Sequence, residues 1–332
     1  MFSISSFYFW GFIFFLLLIV LMAIANSNNK AYKNTIISNI ERQSQSIPMD
    51  DTIFVSIPDD SLSFNNNFRL VNVLKNLFSN AYGPHRIFVG ICSLVSDDSK
   101  KESLVEYFCR SGSNELSFTR NPSNFFASNV REKTVFEEHW KGKNVARAYI
   151  EKNLYGKEKY FLMIDLDSVQ NFVPHWDKYL IQTLIHCPSE RPILTTPPKI
   201  RDLNSSSYKC FWSPSFSFTY ATAHLEVPYD PYLRNLFDGG EEIIMSARFW
   251  TYGWDFYVPG TTTVFLDECR RKMIQKKKNS NNSKTRIEYL LKTFLPRGRH
   301  TFSPHPRILK EIEKYSLGPY RSLQDYEVFA KK

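Results

Sequence analysis

Tyr160-Phe161-Leu162-Met163-Ile164-Asp165-Leu166-Asp167-Ser168 is an apolar run that stops on two carboxylates two positions apart. A short run of this kind reads as a buried strand whose C-terminal end emerges at a sheet edge. In open α/β sheets that edge is where ligands bind. Alternation along an extended chain points Asp165 and Asp167 to the same side, so both can reach one bound group. The pair suits a hard divalent cation such as Mg²⁺ or Mn²⁺, which prefers carboxylate oxygens and can in turn hold a diphosphate. The same spacing also arises as solvated turn chemistry, and the tripeptide by itself leaves both readings open.

The flanking sequence supplies the rest of a layered fold. Ile53 to Ile57 reads as a first strand, Phe68 to Phe78 as a helix through Leu70, Val73, Leu74 and Leu77, and Arg86 to Ile91 as a second strand. Lys133 to Phe136 reads as a short strand, and Gly142 to Ile150 as a helix leading into the strand that ends at Asp165. Strand, helix, strand with near-continuous apolar strands argues for a parallel α/β sheet. Beyond the Asp pair, Trp176 to His186 has helical spacing, and Pro192 to Thr196 reads as a strand stopped by Pro197-Pro198. Phe211 to Leu225 alternates roughly among Ser, Thr and aromatics, as antiparallel strands would, and its aromatics serve either as core or as a wall for an acceptor. Gly239-Gly240-Glu241-Glu242 permits close backbone approach and opens a helix whose N-terminal end tolerates acidic groups. A carboxylate here can orient a hydroxyl or act as a base; plain helix capping is the other reading.

Composition narrows the classes. The chain has 332 residues, 43% apolar, with 28 Phe and 18 Tyr, and is long enough for one large or two ordinary globular domains. Its net charge of +9 is partly local, in Arg270-Arg271-Lys272 and Lys276-Lys277-Lys278. That clustering reads as a solvated basic loop near 270–285, and no nucleic-acid-binding motif accompanies it, so nucleic acid is not an expected partner. Five cysteines show no zinc spacing, and an odd number leaves at least one unpaired within the chain.

Phe2 to Ala25 is uncharged and almost wholly apolar, long enough to cross a bilayer as a helix of roughly 20 residues. Residues 1–25 are therefore expected to form a transmembrane signal anchor, with a cleaved signal peptide, suggested by Ala23-Ile24-Ala25, as the alternative. Lys30 and Lys33 follow the span and no basic residue precedes it, which runs against a lumenal orientation. Residues 26–48 are rich in Asn, Ser and Gln and read as a stem, and 49–332 as the folded catalytic domain. Asn204-Ser-Ser206 and Asn281-Asn-Ser283 fit the N-glycosylation pattern, which matters if the domain is lumenal.

Several separated segments resemble one family in order. They are Ile53 to Pro58, Pro84 to Cys92, Ala146-Arg147, the strand to Asp165, Val173-Pro-His-Trp-Asp177, Pro192 to Thr196, Glu226 to Pro231, Gly240-Glu-Glu242, Arg248 to Tyr257 and Tyr315-Ser-Leu-Gly318. Together they are similar to the protist polypeptide α-N-acetylglucosaminyltransferases, which transfer GlcNAc from UDP-GlcNAc to hydroxyproline or threonine. The match runs roughly from Ile53 to Tyr326. The resemblance implies a GT-A fold in one large domain after the membrane span. It also implies a divalent cation, Mn²⁺ or Mg²⁺, on the donor's diphosphate, a protein acceptor, and single-pass residence in the Golgi or secretory pathway.

Residue by residue, the resemblance puts Asp165 and Asp167 at the family's metal motif, where members commonly carry Asp-Ser-His, so Asp167 takes the histidine's place. Arg147 and Asp165 fall on the donor side, and Glu241 or Glu242 would orient the acceptor or receive its proton. Two departures accompany it. Where the family has Tyr-Arg-Asp in contact with the nucleotide, this chain reads Pro58-Asp59-Asp60, keeping Asp59 but no arginine. Where the family has a metal-binding histidine, this chain has Leu266, so Asp267, or Glu268, is the substitute ligand after a shift of one residue. These departures carry the alternative expectation of a catalytically impaired relative that acts as a binding or scaffolding protein.

Overall fold

The structure, a computed structural model, describes residues 51–60, 66–95, 102–111, 116–136, 139–166, 169–196, 212–236, 240–259, 264–266, 281–291 and 305–331. In chain order the elements are β1 (Ile53–Asp59), α1 (Asn66–Ser79), β2 (Ile87–Val95), α2 (Leu104–Arg110), α3 (Pro122–Asn129), β3 (Val130–Phe136), α4 (Lys143–Asn153), β4 (Tyr160–Ile164), β5 (Val169–Phe172), α5 (Trp176–Ile185), β6 (Pro192–Thr195), β7 (Phe216–Tyr220), α6 (Thr222–Glu226), α7 (Gly240–Thr251), β8 (Asp255–Tyr257), β9 (Val264–Leu266), α8 (Asn281–Leu290) and α9 (Leu323–Lys331).

Seven strands form one sheet in the order β3-β2-β1-β4-β7-β6-β8. β1, β2, β3 and β4 are mutually parallel, β7 runs against β4 and β6, and β8 is parallel to β6. The expected parallel α/β sheet is thus a mixed one with β7 reversed. Every residue of β1 and of β4 is buried, as strands covered on both faces require. That double coverage is why their sequences are continuous apolar runs rather than alternating ones.

The strand order grows outward from β1 in one direction through β2 and β3, then jumps back across β1 to β4. This reversal makes the carboxyl ends of β1 and β4 a topological switch point, the place where open α/β sheets hold ligands in a crevice beyond the strand ends. The register sets Ser56 opposite Met163, so the two strands finish close to level. Asp59 is the last residue of β1, and Asp165 follows β4 directly. The two carboxylates expected to meet the donor therefore sit on neighbouring strand ends.

A second, two-stranded antiparallel ribbon pairs β5 with β9, Val169 facing Leu266 and Phe172 facing Val264. Helix α1 ties the segment after β4 to the sheet at two points. Arg69 Nη2 donates to the Leu166 carbonyl at 2.6 Å, and Asn76 Oδ1 accepts from the Phe172 amide at 2.6 Å. At the start of α5, buried Asp177 accepts from the Tyr82 and Gly83 amides and from Arg86, and Trp176 Nε1 donates to the Leu77 carbonyl. Val173 to Asp177 is thus a structural joint between α1 and α5.

Two expectations are corrected. In the stretch from Phe211 to Leu225 the described residues hold one strand of the expected antiparallel kind, β7, paired with β4 and β6 and with Phe216 and Phe218 in the core, but Thr222–Glu226 is helical rather than a further strand. The short helix is held by buried His224, whose Nδ1 lies 2.7 Å from half-buried Glu151 on α4. Of the expected basic loop near 270–285, residues 270–280 lie outside the described residues, but from Asn281 the chain is helix α8. Ser283, the acceptor-pattern serine, is buried there, its hydroxyl bridging the Arg234 amide and carbonyl. Among the described residues no helix is long and apolar enough to cross a membrane. The expected anchor and stem, residues 1–48, lie outside the described residues, as does Asn204.

Candidate functional site

Helix α4 runs back from the carboxyl edge of the sheet, so its first residues stand at the crevice. It starts on Gly142, whose φ of 97° is left-handed backbone that favours glycine, and an added Cβ would lie 3.2 Å from the Asn235 backbone. From that start, Lys143 and Arg147 share one helix face at the i, i+4 spacing and both project toward the strand ends.

Arg147 is fully buried and joins two of the expected site residues. Its Nη1 donates to both Glu241 carboxylate oxygens, at 2.7 and 2.9 Å, and its Nη2 donates to Asp165 Oδ1 at 2.5 Å. Three elements meet at this guanidinium: α4, the end of β4, and the first turn of α7. Lys143 extends the cluster, its Nζ 3.3 Å from Asp60 Oδ1 and 3.8 Å from Asp165 Oδ1.

Burial and charge set the protonation of this group. Burial opposes the Arg147 cation, but the carboxylates of Glu241 and Asp165 outweigh it and push the guanidinium pKa up. Burial pushes the Glu241 carboxyl up to about 7, against the pull of Arg147 and with the help of neighbouring Glu242 and Asp165. Tyr229 packs beside both residues, its ring centroid 6.0 Å from the Arg147 guanidinium, and burial followed by the Glu241 charge raises its phenol well above the usual range. A carboxyl group poised near neutrality in a crevice can take or return a proton.

The structure therefore brings together Asp165, Arg147 and Glu241, with Asp59 on the adjoining strand end and Glu242 close enough to bias its neighbour's titration. Asp167 and Asp267 lie outside the described residues. Of the three carboxylates expected to hold a divalent cation, only Asp165 is described, and among the described residues no group of three His, Cys, Asp or Glu side chains could hold a metal ion. Asp165 Oδ1 faces two cations instead. Cys92, Cys109 and Cys187 are free thiols, and burial pushes the Cys92 thiol up to about 12, far from a nucleophilic thiolate.

Four residues at the site are new relative to the sequence expectations: Lys143, Asp60, Tyr229 and Arg69. For Lys143 the signal was present, because it lies four positions before Arg147 on a helix. Arg69 acts across 97 positions on a backbone carbonyl, a contact that no local spacing announces.

A mixed α/β sheet with charged side chains gathered at its switch point is the arrangement in which open α/β proteins hold ligands beyond the strand ends. Residues 95–201 and 199–332 match the family described as Glycosyltransferase (GlcNAc), and the chain belongs to that glycosyltransferase family. Comparison with curated proteins gives no match. Among solved structures, the chain is similar to the mannosyltransferase PcManGT from Pyrobaculum calidifontis, in complex with GDP-Man and Mn²⁺. The identity is 12%, with 93% of this chain and 84% of that chain covered and a TM-score of 0.40.

Proposed function

We propose that the protein transfers N-acetylglucosamine from UDP-GlcNAc to a protein hydroxyl, of threonine, serine or hydroxyproline, as a divergent member of the polypeptide α-N-acetylglucosaminyltransferases. The observation that carries this reading is the Arg147 bridge, which holds Asp165 and Glu241 together at the switch-point crevice of a chain in a GlcNAc glycosyltransferase family. Asp165 and Asp59 line the donor side and Glu241 the acceptor side. Glu241, poised near neutrality, takes the proton from the attacking acceptor oxygen, and Glu242 supports its raised pKa. Arg147 fixes the carboxylates relative to one another, so the oxygen to be deprotonated and the donor meet in one orientation.

Asp165, Asp167 and Asp267 are the residues that would hold Mn²⁺ or Mg²⁺, which when bound neutralises charge on the diphosphate leaving group. The pairing of Val169 with Leu266 supports this set, since those residues follow Asp167 and precede Asp267 in sequence and lie face to face. Phe2 to Ala25 supports a single-pass anchor in the secretory pathway, the Golgi, with 26–48 as stem. The test is incubation of the full-length chain with UDP-sugars, Mn²⁺ and peptides containing threonine or hydroxyproline. UDP release with UDP-GlcNAc and a glycosylated peptide is the expected result, and no release across the set overturns the reading.

A second reading, a family member that binds without catalysis, is favoured by one observation: the described contacts of Asp165 Oδ1 are to Arg147 and Lys143, both cations. Calorimetry with UDP and Mn²⁺ separates the two, because metal-dependent micromolar binding of UDP counts against the second.

A further inference from the structure

Helix α8 turns one stripe to the protein. Ser283, Arg286 and Leu290, at the i, i+3, i+7 spacing of a single face, are its buried residues. Asn281 stands two positions before Ser283, about 200° round the helix from it at 3.6 residues per turn, and is exposed. Its carboxamide therefore points away from the packed stripe, where a bulky polar substituent meets solvent rather than core. Asn281-Asn282-Ser283 is also an Asn-X-Ser triad with no proline in the middle, unlike Asn121-Pro122-Ser123. The third residue of the triad is spent in the fold. The Ser283 hydroxyl donates to the Arg234 carbonyl at 2.7 Å and accepts from the Arg234 amide at 2.8 Å. An enzyme that reads the triad needs that hydroxyl, so the folded chain offers the asparagine and withholds the serine.

We propose that Asn281 carries an N-linked oligosaccharide acquired before α8 docks onto Arg234, which rests on the secretory-pathway reading above with the domain on the lumenal side. In the transfer, Asn281 Nδ2 bonds to the anomeric carbon of a lipid-diphosphate-linked oligosaccharide. The bond from that carbon to the diphosphate oxygen breaks, the amide gives up one proton, and the lipid diphosphate leaves. The glycan then stands on the solvent side of α8 and leaves the contacts of Ser283 with Arg234 and of Arg286 with Asp230 in place. Docking of α8 closes the triad, so an asparagine missed during synthesis stays bare.

The experiment expresses the full-length chain in cells with a secretory pathway, as wild type, Asn281→Gln, Asn204→Gln and Ser283→Thr, and treats each with peptide N-glycosidase. Wild type and Ser283→Thr are expected to gain mobility on treatment and to yield residue 281 as aspartate by mass spectrometry. Asn281→Gln should lack one glycan's share of the shift, and in a pulse-chase the glycan at residue 281 should be complete within the pulse. Residue 281 recovered bare while the shift disappears in Asn204→Gln overturns the Asn281 site and leaves the lumenal reading standing. No shift in a domain that sealed microsomes protect from added protease does the same. No shift in a domain that the protease digests puts the domain on the cytosolic side, the placement Lys30 and Lys33 favour, and overturns both. Glycan appearing at residue 281 during the chase, after the chain has folded, overturns the order of events.

Discussion

Arg147 Nη1 donates to both carboxylate oxygens of Glu241, joining residues 94 positions apart in a buried fork. With Nη2 on Asp165, this one side chain satisfies two carboxylates from two other elements. Removing it takes from Glu241 its forked partner and leaves Asp165 with the longer Lys143 contact. Arg147→Met is expected to lower the unfolding free energy by roughly 3–5 kcal/mol, measured by chemical denaturation. Adding Glu241→Gln to that background should recover part of the loss, because an orphaned buried charge is removed. A Met variant as stable as the wild type would show that the bridge is not formed.

Glu241 makes the protein's stability depend on pH in a definite direction. Its carboxyl is raised from 4.5 to about 7, chiefly by burial. Below pH 4.5 it is protonated in both folded and unfolded chains and costs nothing. As pH rises from there to 7 the unfolded chain ionises first, so stability is lost across that window and levels off above it. The difference in unfolding free energy between wild type and Glu241→Gln should shift by about 3 kcal/mol over this range. On the proposed function, kcat/KM should rise with pH through about 7 as the base ionises, and Glu241→Gln should abolish that limb together with most activity.

Much of this architecture was visible in the chain before the fold, and the exceptions share physical causes. β1, β2 and β4 are legible because they are buried along nearly all their length and the sequence is almost continuously apolar. The reversed direction of β7 is not, since an apolar strand carries no mark of its orientation. Helix α8 begins inside the stretch near 270–285 that reads as a basic loop, because Asn and Ser between lysines are low-complexity sequence. It is anchored instead by polar groups, Ser283 on the Arg234 backbone and Arg286 on Asp230, all of which a sequence displays as solvated residues. At the site, the residue types were legible singly, as Asp165, Arg147 and Glu241. Their union through one guanidinium depends on three elements converging at the switch point.

Arg69 tests how far the acidic motif depends on its scaffold. Its guanidinium holds the Leu166 carbonyl, between Asp165 and Asp167 in sequence, from the first turns of α1. A charge-assisted hydrogen bond of this kind contributes roughly 1.5–3 kcal/mol. Arg69→Met is expected to weaken UDP binding about tenfold or more through displacement of the motif, with a smaller effect on peptide KM. If donor and acceptor constants change equally, Arg69 supports the fold in general rather than the motif.

Asp177 separates structural from chemical content in the segments shared with the family. It is fully buried and accepts from the Tyr82 amide at 2.6 Å, the Gly83 amide at 2.9 Å and Arg86 at 3.2 Å. Asp177→Ala orphans two amides and a guanidinium and should destabilise the protein by about 3 kcal/mol. At a temperature where the variant remains folded, its kcat should match the wild type, because none of these contacts touches the crevice.

Gly318 governs the docking of the C-terminal segment on α7, the helix that carries Glu241. Its amide donates to Thr251 Oγ1 at 2.8 Å, and the Tyr320 and Arg321 amides both donate to the Thr251 carbonyl. A Cβ at this position would stand 2.5 Å from the Tyr252 amide nitrogen and 2.6 Å from the Thr251 carbonyl atoms. These are backbone atoms at the end of a helix, so the clash cannot be relieved by a side-chain rotation, and the segment itself must lift. Gly318→Ala is therefore expected to cost about 2 kcal/mol and to speed amide exchange from Tyr320 and Arg321. The Trp250 ring, flanked by Arg321 and Phe329, should report the same displacement as a shift in fluorescence. Since α7 keeps its hold on Arg147 through Glu241 at the opposite end, exchange at the start of the helix should stay slow. Uniform loss of protection along all of α7 would instead mean that the C-terminal segment maintains the site.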